Sequence, residues 1–169
     1  PQGKSAIAVI RVSGKTALKV IRKIAKIKKI TPNKTNLLFL KNKDTIIDQA
    51  LVICFKSPNS FTGEDMVEIY CHGGFAVIDK ISKTLENNDI RLADPGEFTK
   101  RALLNDKIDL VKTESISDII NAETEEQRVL AIKNLSGGLS DFTTKINQKI
   151  SSNLANIEAL IDFSDEDLP

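Results

Sequence analysis

Apolar and polar positions follow two rhythms along this chain of 169 residues. The first is short and β-branched. Ala6–Val12 is a nearly continuous apolar run of strand length that Ser13-Gly14 closes. Similar runs recur at Leu37–Leu40, Ala50–Phe55 and Met66–Tyr70, separated by Asn, Asp, Ser, Pro and Gly. The second rhythm is helical. In Thr16–Lys26 the residues Ala17, Val20, Ile21, Ile24 and Ala25 fall three and four apart, with Lys19, Arg22, Lys23 and Lys26 opposite them. After Gly73-Gly74, the stretch Phe75–Leu85 repeats this pattern through Val77, Ile78, Ile81 and Leu85, and Ile90–Ala93 predicts one more short strand.

At Asp94-Pro-Gly-Glu97 several helix-start signals coincide, predicting Asp94 as N-cap, Pro95 in the first helical position and Glu97 three residues past the cap. After about residue 107 the strand rhythm stops. Three helices are predicted there, at Leu110–Ala122, at Glu125–Leu135 opened by Thr124, and at Leu139–Phe163. The last carries Phe142, Ile146, Ile150, Leu154, Ile157, Leu160 and Ile161 as one unbroken stripe, which needs partners and predicts a helical bundle completed by sequence outside this chain. The chain opens at Pro1 and stops at Pro169 behind an acidic turn, and a piece of a larger protein is expected. The expected class is α+β, a mixed β-sheet with flanking helices followed by an α-helical segment.

The net charge of +1 conceals an asymmetry. Residues 1–60 hold 13 Lys and Arg against 2 Asp and Glu, whereas residues 61–169 hold 11 against 21. Such a split points to different partners for the two halves or to mutual docking. No apolar run approaches the ~18 residues of a membrane span, so a cytoplasmic location is expected. Two cysteines, Cys54 and Cys71, are too few for a disulfide scaffold; with His72 they offer three irregularly spaced ligands, and reduced structural thiols are expected, with no metal site.

Two phosphate-loop fragments, Gly3-Lys4-Ser5 and Gly14-Lys15-Thr16, lack the full G-x-x-x-x-G-K-[ST] nest: Val9 stands where the second would need its first glycine, and the first runs into a strand. In Cys71-His-Gly-Gly74 neighbouring side chains of a strand point to opposite faces, which separates thiol from imidazole; His72 is expected to shape the turn into the next helix, and the glycines to allow close backbone approach or a positive φ. Ser57–Asp65 is a turn-rich loop carrying Phe61, hydroxyls and acids. Glu68 is a single charge inside the apolar strand Met66–Tyr70, costly to bury unless a ligand with two parallel N–H groups, such as a pterin or guanine edge, or an ion pair satisfies it. Arg11, flanked by Ile10 and Val12, raises the same question with opposite sign, and an Arg11–Glu68 pair is the plain structural answer.

Taken together, Pro1-Gln-Gly-Lys, Ile10-Arg-Val-Ser-Gly14, Pro58-Asn-Ser-Phe-Thr-Gly-Glu-Asp65, Cys71-His-Gly-Gly74, Pro95-Gly-Glu-Phe-Thr-Lys-Arg-Ala102, Asn105-Asp-Lys107 and Ile161-Asp-Phe163 closely resemble, in order and approximate spacing, the amino-terminal part of the MnmE (TrmE) family of tRNA modification GTPases. The resemblance implies that residues 1–107 form a folate-binding, dimerising domain similar to that of glycine-cleavage aminomethyltransferases. Residues 108–169 would be the first part of a helical domain, with the GTPase domain and a C-terminal cysteine motif beyond Pro169. It further implies a homodimer working with the flavoprotein MnmG to install an aminomethyl-type (carboxymethylaminomethyl) group on the wobble uridine 34 of tRNA. GTP hydrolysis would depend on potassium and magnesium in the domain beyond this chain.

By the same resemblance Arg11, Glu68 and Lys107 bind a tetrahydrofolate derivative, 5-formyl or 5,10-methylene. Glu68 would take the pterin edge, and Arg11 and Lys107 the polar and anionic parts. No residue here carries a covalent catalytic role. The rival readings are a free-standing folate-dependent aminomethyltransferase, and a basic nucleic-acid-binding module using Lys15–Lys43, in which Phe39 alone could stack on a base.

Overall fold

A computed structural model describes residues 5–162; residues 1–4 and 163–169, with the Phe163 end of the expected last helix and the expected acidic turn, lie outside the described residues. The chain divides into two compact units, Pro1–Lys107 and Ile108–Pro169.

The first unit is α+β. Its strands are β1 (Ser5–Ser13), β2 (Thr35–Asn42), β3 (Thr45–Phe55) and β4 (Met66–Gly73), and its helices are α1 (Ala17–Ile24), α2 (Phe75–Glu86) and α3 (Glu97–Leu104). The strands form one sheet in the order β1-β4-β3-β2, and each pairing is antiparallel, where the sequence reading expects a mixed sheet. The reason is local. β2 and β3 are joined by a tight turn, which only antiparallel neighbours permit, and the connections around β4 return it against both β1 and β3.

Helices α1 and α2 cover one face of this sheet. Val12, Val52, Cys54, Val67, Ile69 and Cys71 point into the core, where they meet Ile21, Ile24, Ile81 and Leu85. These are the positions the alternating and helical patterns mark as apolar. Burial pushes the Cys54 thiol up to about 11 and raises Cys71 as well, so both remain protonated packing residues.

Two expectations need correction. Ile90–Ala93 forms no strand and pairs with no described one. And the helix after Asp94 begins later than its cap signal suggests: Pro95-Gly96 forms a turn, Gly96 adopts φ 76° as the last residue before α3, and Glu97 N donates to Asp94 O at 3.0 Å. The Asp94–Glu97 reciprocity survives in altered form, with Asp94 N donating to the Glu97 carboxylate at 2.9 Å.

The second unit contains α4 (Leu110–Asn121), α5 (Glu125–Leu135) and α6 (Gly138–Asp162). Asp109 caps α4 by accepting from Lys112 N at 2.7 Å. Thr124 opens α5 with a full capping box, its hydroxyl accepting from Gln127 N while the Gln127 side chain accepts from Thr124 N. Ser115 and Ala131 are its buried residues on α4 and α5, and none of the 25 residues of α6 is buried.

Candidate functional site

The face of the sheet away from α1 and α2 carries the charged residues singled out in the sequence. Arg11 of β1 and Glu68 of β4 are direct partners in the antiparallel register. Side chains paired in this way lie within reach of each other. Arg11 Nε sits 3.1 Å from Glu68 Oε1, with Arg11 half-exposed and Glu68 almost fully buried. Tyr70, two residues along β4 and therefore on the same face, donates its hydroxyl to Glu68 Oε2 at 2.7 Å. That bond is the first cause of the Tyr70 phenol's raised pKa, followed by burial. Glu68 Oε2 thus accepts from Tyr70, and Oε1 faces the Arg11 guanidinium in an ion pair. A carboxylate offers about four lone-pair sites, so acceptor capacity remains for an incoming pair of N–H groups.

Lys107 stands apart from this pair. Its ammonium donates to Pro58 O at 3.0 Å, in the loop between β3 and β4. That loop nevertheless reaches the Arg11 strand. Ser13, on the same face as Arg11 and roughly 7 Å further along, donates to Glu64 Oε2 at 2.8 Å and lies 2.6 Å from the buried Thr62 hydroxyl. Asn105 fastens the other side by donating to Thr62 O at 2.7 Å, and Gly14 N donates to Asp65 O at 2.9 Å. Gly63 is required here: at φ 76°, an added Cβ would crowd Asn105 and Lys107 at 3.1–3.2 Å.

A chain of ion pairs extends this anchoring. Arg101 of α3 reaches Glu64 at 2.8 Å and Glu97 at 2.7 Å, and Arg91 forks onto the same Glu97 carboxylate at 2.6 and 2.8 Å. The hydrogen bond from Arg91 first, then Asp94 N and Arg101, hold the Glu97 carboxyl well below the ordinary carboxylate range. A cavity of about 310 Å³ opens beside this network, lined by Arg11, Ser13, Arg91, Glu97 and Arg101 among others. Arg11 alone of the three expected ligand residues borders it.

His72 does not shape the turn into α2. It lies in β4 with its ring exposed, and Asp48 of β3 accepts from His72 N at 2.8 Å and sits 2.7 Å from Nδ1. The turn belongs to the glycines. A Cβ on Gly73 would overlap the Ser5 side chain and carbonyl, so close backbone approach, and not a positive φ, is what position 73 requires.

The sequence reading passes over Tyr70, Ser13, Thr62 and Arg101. Tyr70 is legible as Glu68 plus two on one strand; the other three require the fold that brings β1, the loop and α3 together.

Two families match this chain. The family described as "GTP-binding protein TrmE N-terminus" matches residues 1–107, and "MnmE helical domain" matches residues 110–169. Proteins named "tRNA modification GTPase MnmE" are similar throughout. The one from Fervidobacterium nodosum is 46% identical over all of this chain and 38% of its own length. Those from Pseudothermotoga lettingae and Campylobacter curvus are 45% and 42% identical over 98% and 99% of this chain, and 37% and 38% of their own. The chain therefore spans well under half the length of these relatives, and it belongs to the TrmE (MnmE) family, of which it carries the N-terminal region and a segment of the helical domain.

Proposed function

We propose that this chain is the folate-binding and dimerising part of a tRNA modification GTPase, and that Arg11, Glu68 and Lys107 bind a reduced folate. The observation that carries the reading is Glu68: a nearly buried carboxylate on the uncovered sheet face, oriented by Arg11 and Tyr70 and retaining acceptor capacity. A pterin amino-pyrimidine edge presents two parallel donors suited to it. Lys107, just past α3, bonds to the loop that is anchored to the Arg11 strand, and its ammonium suits an anionic tail. When bound, the folate would supply the one-carbon unit; the protein's own residues bind and orient it.

A homodimer fits the same face. Ile7, Val9, Leu37, Phe39 and Leu51 are each 45–65% exposed there, around the Arg11–Glu68 pair, so a second copy would cover both the apolar surface and the site. The parent protein would act in the cytoplasm as a GTP hydrolase dependent on potassium and magnesium. With MnmG, it would place an aminomethyl-type group on uridine 34 of tRNA. No described helix is long and apolar enough to cross a membrane.

Calorimetric titration of this chain with 5-formyltetrahydrofolate, beside Glu68→Ala and Lys107→Ala, tests the reading. Saturable binding is expected, lost in Glu68→Ala and weakened in Lys107→Ala. Unchanged affinity in both variants, with circular dichroism showing them folded, would sink the assignment.

A further inference from the structure

We infer that the basic segment from Lys15 to Lys43 is a second binding surface, one that holds the phosphate backbone of tRNA independently of the folate site; it rests on the reading of the parent as a tRNA-modifying protein. Residues 15–43 contain ten Lys and Arg and no Asp or Glu. Lys15, Lys19, Lys23, Lys26, Lys28, Lys29, Lys34 and Lys43 are all exposed. Lys19 and Lys23 are four apart on the outer side of α1, whose other side is buried through Leu18, Val20, Ile21 and Ile24. Like charges at that spacing repel, and α1 has no acid of its own to offset them.

The fold gathers these cations from three segments. Lys26, just past α1, pairs with Asp44 in the β2–β3 turn, which places that end of α1 beside Lys41 and Lys43. At the other end of β2, Asn33 N donates to Cys54 O at 2.8 Å, placing Lys34 there. The basic loop between these points therefore runs the length of an eight-residue strand, roughly 27 Å. Each strand of a DNA duplex carries a phosphate about every 3.4 Å along its axis, and an RNA helix is at least as densely charged, so this length faces several phosphates. Asp44 is the one acid paired with these lysines among the described residues.

Other partners fit less well. The exposed large apolar residues between positions 15 and 43 are Leu37 and Phe39, and both belong to the uncovered sheet face opposite α1. Among the described residues the basic surface thus has no large exposed apolar side chain to insert into a membrane, Ile27 and Ile30 being packed against the core, and no aromatic ring to stack on a base. Backbone phosphates of a folded RNA remain as the complementary chemistry, with little preference for base sequence.

The test is fluorescence anisotropy of labelled, unmodified tRNA with the full chain across salt, comparing Lys19→Glu/Lys23→Glu and Lys28→Glu/Lys29→Glu with the control Lys80→Glu/Lys100→Glu, which alters two exposed lysines elsewhere in the same unit by the same charge. Affinity should fall steeply between about 50 and about 200 mM KCl, and each patch pair should weaken binding about tenfold and flatten the salt slope by about 1–2. The control should stay within about twofold of the parent chain. Absence of salt-dependent tRNA binding by the parent chain, or an equal loss in the control pair, overturns the inference. Circular dichroism checks folding, and the second patch pair decides the matter should the first fail to fold. Modified-nucleoside content of tRNA in cells lacking the protein tests the tRNA reading separately, and folate titration of the patch variants, expected to be unchanged, tests the independence of the two sites.

Discussion

Helices α1 and α6 carry the same kind of pattern and meet opposite surroundings. α1 is eight residues long and buries Ala17, Leu18, Val20, Ile21 and Ile24, whereas α6 runs for 25 residues with none buried. Phe142, Ile146, Ile150, Leu154, Ile157 and Leu160 of α6 are each 41–59% exposed. Apolar periodicity therefore specifies that a helix forms and which side is apolar, but burial depends on what the rest of the fold places against that side. The two units also differ in how their charges are tied. In the first, Arg91, Glu97, Arg101 and Glu64 link a loop, a helix and the segment before that helix, while Arg128–Glu125 in the second joins neighbours one helical turn apart.

The largest expected effect is in the α1 core. Ile21→Ala should destabilise the first unit by about 2–5 kcal/mol in urea unfolding, because Ile21 is fully enclosed, while Ile150→Ala in α6 should stay within about 0.5 kcal/mol. Comparable costs at both positions would erase the distinction between the helices. Acid should then weaken the first unit. Glu97 titrates below its unfolded value of about 4.3, so the stability it contributes is complete above that pH and is lost as pH falls through it toward the folded value. Urea midpoints of the first unit should drop below about pH 4.5, and the profile of Glu97→Gln should be flatter there.

Smaller effects sharpen the contrast through helix starts. Thr124→Ala removes the hydroxyl of the α5 capping box and should cost about 1 kcal/mol of the second unit's stability. Thr16 precedes α1 without any side-chain capping bond, so Thr16→Ala should change stability by less than about 0.5 kcal/mol. Denaturant titrations of both variants measure the pair, and equal losses would mean that the Thr16 hydroxyl caps α1 in solution.

Much of the fold is legible because its signals are local. The Thr124 cap, the α1 and α2 stripes and the four strand runs each depend on residues within a few positions of one another. The exceptions involve distant partners. Ile90–Ala93 has a strand-like run of residues but pairs with no described strand, and a strand exists only when its backbone groups are paired. The Pro95-Gly96 turn has the composition of a helix start, yet Gly96 at φ 76° delays α3 to Glu97.

The candidate site divides in the same way. The sequence by itself determined that Arg11 and Glu68 are charges within apolar strands, that Tyr70 shares the face of Glu68, and that the first 60 residues are strongly basic. Only the tertiary structure decided that Arg11 and Glu68 stand opposite each other, that Arg101 ties Glu64 to Glu97, and that Lys107 fastens to the loop at Pro58 instead of joining the pair. The physical reason is that side-chain direction and periodicity are fixed by the backbone within a few residues, whereas register, loop anchoring and ion-pair choice depend on contacts between segments that the chain must first bring together.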